Sequence, residues 1–170
     1  NKSSGEKLCA ALQGMGTTFI KLGQFLGTRP DIIGEDIAKE LEKLQDKLPA
    51  FSTLEAKKIL KNQIGQNSFS KIISLEEPIA AASIAQVHFA KIKIDDQEKE
   101  LAIKVLRPNI HKMVNEELDA LMFITYIIEN IFKKTKRLKL VEIIYLLKEI
   151  TNVEMDLRFE AAAASELYEN

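Results

Sequence analysis

Lys104 lies in Leu101 to Leu106, a stretch alternating with period two, so Ala102, Lys104 and Leu106 share one face of a strand and Leu101, Ile103 and Val105 the other. A cation among small and apolar neighbours on a strand can neutralise phosphate oxygens. It needs a carboxylate from another element to steady its flexible stem. Glu160, on a helical pattern further along, is the candidate anchor. Upstream, Ala80, Ala81, Ala82 and Ser83 form a turn of residues with little bulk, where backbone amides can approach an anion. In this order the parts resemble a nucleotide-binding half-site. Residue types alone leave open that Lys104 reaches solvent from an edge strand and that Glu160 sits on a solvated helix face.

The elements that must position these residues are legible as periodicities. Leu8, Leu12, Met15, Phe19, Leu22 and Leu26 fall at steps of three and four and predict a first helix over residues 6–27. After Pro30 and Asp31, a second stripe at Ile33, Ile37, Leu41, Leu44 and Leu48 predicts another helix, stopped by Pro49. Ser52 stands three residues before Glu55, the spacing of a reciprocal cap, and opens a short third helix that closes at Gly65. From about residue 68 the texture becomes that of strands. Residues 84–94 mix β-branched and aromatic side chains with polar ones, and Asp95 with Asp96 offers the slightly irregular turn of a hairpin. Ile110, Val114, Leu118, Leu121, Thr125, Ile128 and Phe132 then mark a long amphipathic helix. A basic break from Lys133 to Lys139 precedes one more long helix, which carries Glu154, Asp156 and Glu160.

Composition limits the functional classes. Of 170 residues 46% are hydrophobic and 29% charged, with only 7 Gly and 4 Pro, which excludes disordered and low-complexity chains. The net charge of −1 gives no global attraction to nucleic acid, and none is expected as a partner. No run approaches the roughly 18 apolar residues of a membrane span. Cys9, a lone cysteine, reads as a packing residue, His88 as a structural histidine on a strand and His111 as a surface residue, so no metal site is expected. The chain begins with Asn1 rather than methionine and reaches Asn170 within a helical pattern, so it reads as a piece of a longer protein.

Four stretches carry a resemblance. Lys21, Leu22, Gly23 and Gln24, with Arg29, Pro30 and Asp31, resemble the Lys-x-Gly-Gln segment of the UbiB family, also called the ADCK family of atypical kinases. Pro78 through His88 look like its alanine-rich loop, which stands where ordinary kinases carry a glycine-rich one. Ala102 to Val105 with Arg107 and Pro108 resemble its nucleotide-contacting strand, and Glu154 to Ala161 resemble its Glu-x-Asp motif and the glutamate that follows. The resemblance covers residues 17–161 and implies an α+β fold: a kinase-like small lobe over residues 68–170, an antiparallel sheet with helices, preceded by a helical extension over residues 1–67. It further implies ATP or ADP at Ala80, Ala81, Ala82, Ser83 and Lys104, with Glu160 pairing Lys104. Lys21 would lie near Glu154 and Asp156, and Gln24 would face the nucleotide pocket. Because Glu154 and Asp156 are two apart on a predicted helix, at least one must turn to a different partner. Alanine restricts the backbone where glycine would not, so the loop is expected to be stiff and its amide geometry less adaptable. The resemblance, for its part, implies altered nucleotide preference and suppressed kinase activity.

A kinase-like site also needs a large lobe with a catalytic-loop aspartate and asparagine and a metal-binding Asp-Phe-Gly, and none occurs in this sequence. Magnesium is expected only with that lobe, and little or no phosphoryl transfer from this chain alone. The family role implied is support of ubiquinone biosynthesis, on the cytoplasmic side and peripheral to the inner membrane, with the membrane surface or other biosynthetic proteins as partners. Two alternatives remain: a non-catalytic helical module that docks to a membrane or partner through the apolar faces of the first two predicted helices, and the remnant of a degraded gene.

Overall fold

The computed structural model describes residues 3–44, 46 and 48–169, so the chain ends Asn1 and Asn170 lie outside the described residues. The chain divides into two compact units, Asp46–Ile110 and the flanking Asn1–Gln45 with His111–Asn170.

In the flanking unit, α1 (Ser4–Met15) starts at a reciprocal cap. Ser3 Oγ accepts from the Glu6 amide at 3.1 Å while Glu6 Oε2 accepts from the Ser3 amide at 2.7 Å. The stripe that predicts one helix over residues 6–27 is divided by Gly16, whose φ of +101° no helix accommodates, and α2 (Thr17–Gly27) begins beyond it. Gly34, at φ +85°, divides the second predicted helix in the same way into α3 (Pro30–Ile33) and α4 (Glu35–Leu41). Periodicity passes through these breaks because a single glycine does not disturb the spacing of the leucines around it. Leu12, Ile20, Ala38, Leu41 and Leu44 are buried, and α2 packs against α1 and α4.

The middle unit holds α5 (Thr53–Phe69) and a three-stranded antiparallel sheet in the order β1 (Ile72–Ala81), β2 (Ala85–Ile94), β3 (Gln97–Leu106). Ser52 caps α5, its Oγ accepting from the Glu55 amide at 3.2 Å. Gly65 interrupts the helical torsions where the sequence predicts an end, and one further turn follows to Phe69. β2 and β3 pair without interruption from Ala85 opposite Leu106 to Ile94 opposite Gln97. The turn between them is regular rather than irregular: Asp95 and Asp96 both take positive φ, +49° and +61°, as a two-residue hairpin with right-handed twist requires. β1 is an edge strand with register shifts around Pro78, which has no amide hydrogen to contribute to the ladder. Ala56 and Leu60 of α5 bury against Leu75, Ala90 and Val105, flanked by Leu101 and Ile103. That core fixes which face of the sheet is covered, and hence which face Lys104 occupies.

Beyond the sheet, α6 (Ile110–Ile131) is the long amphipathic helix, and a 3-10 turn (Lys133–Leu138) forms the basic break. The last predicted helix is two helices, α7 (Leu140–Met155) and α8 (Leu157–Glu169), parted at Asp156, whose torsions of −90° and +88° leave the helical region. Ile143, Ile144, Leu147 and Met155 of α7 are buried, and α2 lies against α7. Among the described residues no helix is long and apolar enough to cross a membrane.

Candidate functional site

In the sheet unit, cross-strand register sets the site. Val87 stands opposite both Ala80 of β1 and Lys104 of β3, and Phe89 stands opposite Ala102. Residues paired across a ladder project to the same face. Since Ala90, Leu101, Ile103 and Val105 point to the α5 core, Ala80, Val87, Ala102 and Lys104 occupy the other face. The result is a shelf of Ala80, Val87 and Ala102 that carries the Lys104 ammonium group, with Phe89 and the Lys91–Glu100 pair further along the same face. Beside it, Glu76, Phe89, Lys91, Glu100 and Ala102 line a cavity of about 220 Å³.

The alanine loop at the end of this shelf is held from behind. Ser83 is fully buried, and its amide donates to Asp46 Oδ1 at 3.2 Å. The Ala82 carbonyl accepts from Arg107 Nε at 3.1 Å and Nη2 at 2.8 Å, and Arg107 Nη2 also donates to the Pro49 carbonyl at 3.0 Å. The Arg107 guanidinium lies 5.9 Å from the centroid of the Phe51 ring. Burial draws the Arg107 pKa down, and the Asp46 carboxylate partly opposes this. The Ala82 amide donates to the Ala85 carbonyl at 2.8 Å and the Arg107 amide to the Ile84 carbonyl at 2.9 Å. Ala80 is exposed, and Ala81 and Ala82 are half-buried.

A second buried network underlies β2. Gln86 Oε1 accepts from the Phe51 amide at 2.9 Å, and its Nε2 donates to the Phe51 carbonyl at 3.0 Å and to His88 Nε2 at 2.9 Å. His88 Nδ1 lies 2.7 Å from the Glu76 carbonyl, which can only accept, so Nδ1 carries the proton and Nε2 accepts from Gln86. His88 is fully buried and joins β2 to β1, with Gln86 extending the network to the Phe51 segment, rather than facing a substrate.

In the helical unit, Gly23 sits where a side chain would collide with Leu44 and Leu12. The close approach this allows seats α2, and Lys21, two residues earlier, points elsewhere: its Nζ lies 2.8 Å from Glu154 Oε2 on α7. The Lys21 side chain is 13% exposed and that of Glu154 39%. Gln24 is half-buried. The two carboxylates of the Glu-x-Asp motif part company because the helix ends between them. Asp156 caps α8, accepting from the Arg158 amide at 3.1 Å and Arg158 Nε at 2.8 Å. Arg158 thereby holds the Asp156 carboxyl down at about 2. Lys104 stands in the sheet unit, whereas Glu160 is exposed in the first turn of α8 in the helical unit. A cavity of about 590 Å³ in the helical unit is lined by Arg29 and Asp31 but by none of Lys21, Gly23, Gln24, Glu154, Asp156 and Glu160, and its Arg29–Asp31 and Lys139–Glu142 pairs already satisfy one another.

The Asp156 cap has a measurable pH signature. Its carboxyl titrates below the ordinary carboxylate range, so the contribution of this group to stability is complete above pH ~4 and is lost as pH falls through about 2. Carbon-detected NMR of the Asp156 carboxyl is expected to give a midpoint near that value, and Arg158→Ala to return it toward the ordinary range. An unchanged midpoint in the variant would show that Arg158 is not the cause.

The contacts of Asp46, Arg107 and Gln86 are what sequence reasoning missed. Arg107 and Gln86 entered it only as members of the resembling stretches, and the 37-residue separation of Asp46 from Ser83 leaves no local signal.

A profile of the ABC1 atypical kinase-like domain matches residues 43–170. The chain belongs to the ABC1 atypical kinase-like family. The α+β composition, a three-stranded antiparallel sheet together with many helices, agrees with a kinase-like small lobe. Similar proteins include "Probable protein kinase UbiB" of Histophilus somni (strain 129Pt), 41% identical over 172 residues that cover 100% of this chain and 32% of that protein. The proteins of the same name from Pseudomonas paraeruginosa (strain DSM 24068 / PA7) and Cellvibrio japonicus (strain Ueda107) are each 38% identical, covering 98% and 99% of this chain and 31% and 30% of their own lengths. The chain thus spans about a third of the length of these ABC1 relatives. No solved structure matches it.

Proposed function

We propose that this chain supplies the nucleotide-binding small lobe of a UbiB-type kinase-like ATPase whose role is support of ubiquinone biosynthesis. The observation that carries the reading is the shelf of Ala80, Val87 and Ala102 with Lys104 on the same face of the sheet. Small side chains leave room for a flat base, and Lys104 supplies the positive charge that a di- or triphosphate needs. Bound ATP or ADP would supply the phosphoryl groups. Ala80, Ala81 and Ala82 would line its phosphates, Ser83 would act by anchoring their loop, and Glu160 would steady Lys104. Magnesium would be held by residues of the large lobe.

The Lys21–Glu154 ion pair supports a regulatory role for the Lys-x-Gly-Gln segment, because it fastens α2 to the helix that leads into α8 and Glu160. Isothermal titration of the full-length protein with ADP and with ATP, each with magnesium, tests the nucleotide reading, and saturable binding at micromolar concentrations is expected. No binding of either nucleotide overturns it. The exposed Phe123, Ile124, Tyr126 and Ile131 of α6 favour a second role, docking of a membrane surface or a biosynthetic partner through apolar contacts. Under that reading alone, membrane or partner binding survives Lys104→Ala and nucleotide has no effect on it.

A further inference from the structure

One peptide unit of the alanine loop is gripped at both ends by opposite charges. The carbonyl of the Ala82–Ser83 peptide accepts two hydrogen bonds from the Arg107 guanidinium, and the amide of the same peptide donates to the Asp46 carboxylate. We infer that Asp46 and Arg107 are positioning residues that lock this peptide plane and so set the orientation of the loop presented to the nucleotide's phosphates.

Glycine-rich loops adapt to phosphate partly because their peptide planes can rotate. Here, rotation of the Ala82–Ser83 plane by half a turn would bring its carbonyl against a carboxylate and its amide against a guanidinium. Both ends then become repulsive in a buried setting, since Ser83 is fully buried and burial already lowers the Arg107 pKa. The neighbouring bonds leave little slack. Ala82 donates to Ala85 across the loop, and Arg107 is itself held by its own amide on Ile84. The clamp has a fixed base, because Arg107 also reaches the Pro49 carbonyl and lies near the Phe51 ring, whose backbone Gln86 holds by two further hydrogen bonds. Stiffness of the loop therefore arises from two charged side chains outside it as well as from its alanines. A lysine at 107 retains the charge and loses the fork that reaches two carbonyls at once.

The inference rests on the nucleotide reading for its functional half, and the test separates the two. In the full-length protein, amide hydrogen exchange of residues 80–85 without nucleotide is compared among wild type, Arg107→Ala, Arg107→Lys, Asp46→Ala and a control, Leu60→Ala, which loosens the core without touching the loop. Exchange is expected to quicken at least tenfold in the Arg107→Ala and Asp46→Ala proteins, less in Arg107→Lys, and not selectively in the control. ADP and adenosine affinities are then measured on the same proteins. ADP affinity is expected to fall at least fivefold in Arg107→Ala while adenosine affinity stays within twofold. Loop exchange unchanged in both clamp variants overturns the lock. Quickened exchange with ADP and adenosine weakened equally assigns Arg107 a structural role only and overturns the phosphate half. Wild-type protein that binds neither ligand fails the nucleotide reading instead, and with it the phosphate half, while exchange still decides the lock.

Discussion

Lys104→Met in the full-length protein is expected to weaken ADP binding by roughly ten- to a hundredfold, the equivalent of losing one charge-assisted hydrogen bond of about 1.5–3 kcal/mol. Methionine keeps the length and apolar stem of lysine, so the packing of Ala102, Leu106 and Val87 around position 104 is retained and only the ammonium group is removed. Because Leu101, Ile103 and Val105 carry the core contacts from the opposite face, the melting temperature should hardly move. Fluorescence anisotropy with a labelled ADP provides the affinity, and thermal unfolding monitored by circular dichroism provides the control. An affinity within twofold of wild type, with the fold intact, removes Lys104 from the site. Glu160→Gln is expected to have a smaller effect in the same direction, since it acts on the nucleotide only through Lys104.

Gln86→Leu is expected to be the most damaging single change in the sheet unit, costing on the order of 3 kcal/mol. The Phe51 amide, the Phe51 carbonyl and His88 Nε2 each have Gln86 as a hydrogen-bond partner, and leucine offers none of them a bond. Leaving a buried polar group unsatisfied costs more than the net worth of the bond it made, because water cannot enter to replace the partner. His88→Phe should cost less, since it orphans only the Glu76 carbonyl and one Gln86 amide hydrogen. Urea unfolding of the 170-residue chain measures both, and equal or negligible losses would show that the network is not what fastens the Phe51 segment to β2. For a domain with a total stability of about 5–15 kcal/mol, the Gln86 variant is expected to populate its unfolded state well before wild type as urea is raised.

The local elements and their chemistry were legible along the chain: the alternation that puts Lys104 opposite the core face, the Ser52 cap, the hairpin at Asp95 and Asp96, and the motif order from Lys21 to Glu160. These follow from spacing, and spacing is a local property of the chain. The breaks at Gly16, Gly34 and Asp156 were hidden because a stripe of leucines keeps its period across one residue whose torsions depart from the helix. Which carboxylate meets Lys21 was open until Asp156 proved to cap α8, leaving Glu154 as the one that remains on α7 facing α2. The clamp on the Ala82–Ser83 peptide joins residues 25 to 58 apart in sequence, and the Gln86–His88 network reaches Glu76 and Phe51, 12 and 35 residues away. Neither is legible locally, because the free energy of a buried hydrogen bond depends on which distant groups share its desolvated space, and neighbouring residues carry no record of that.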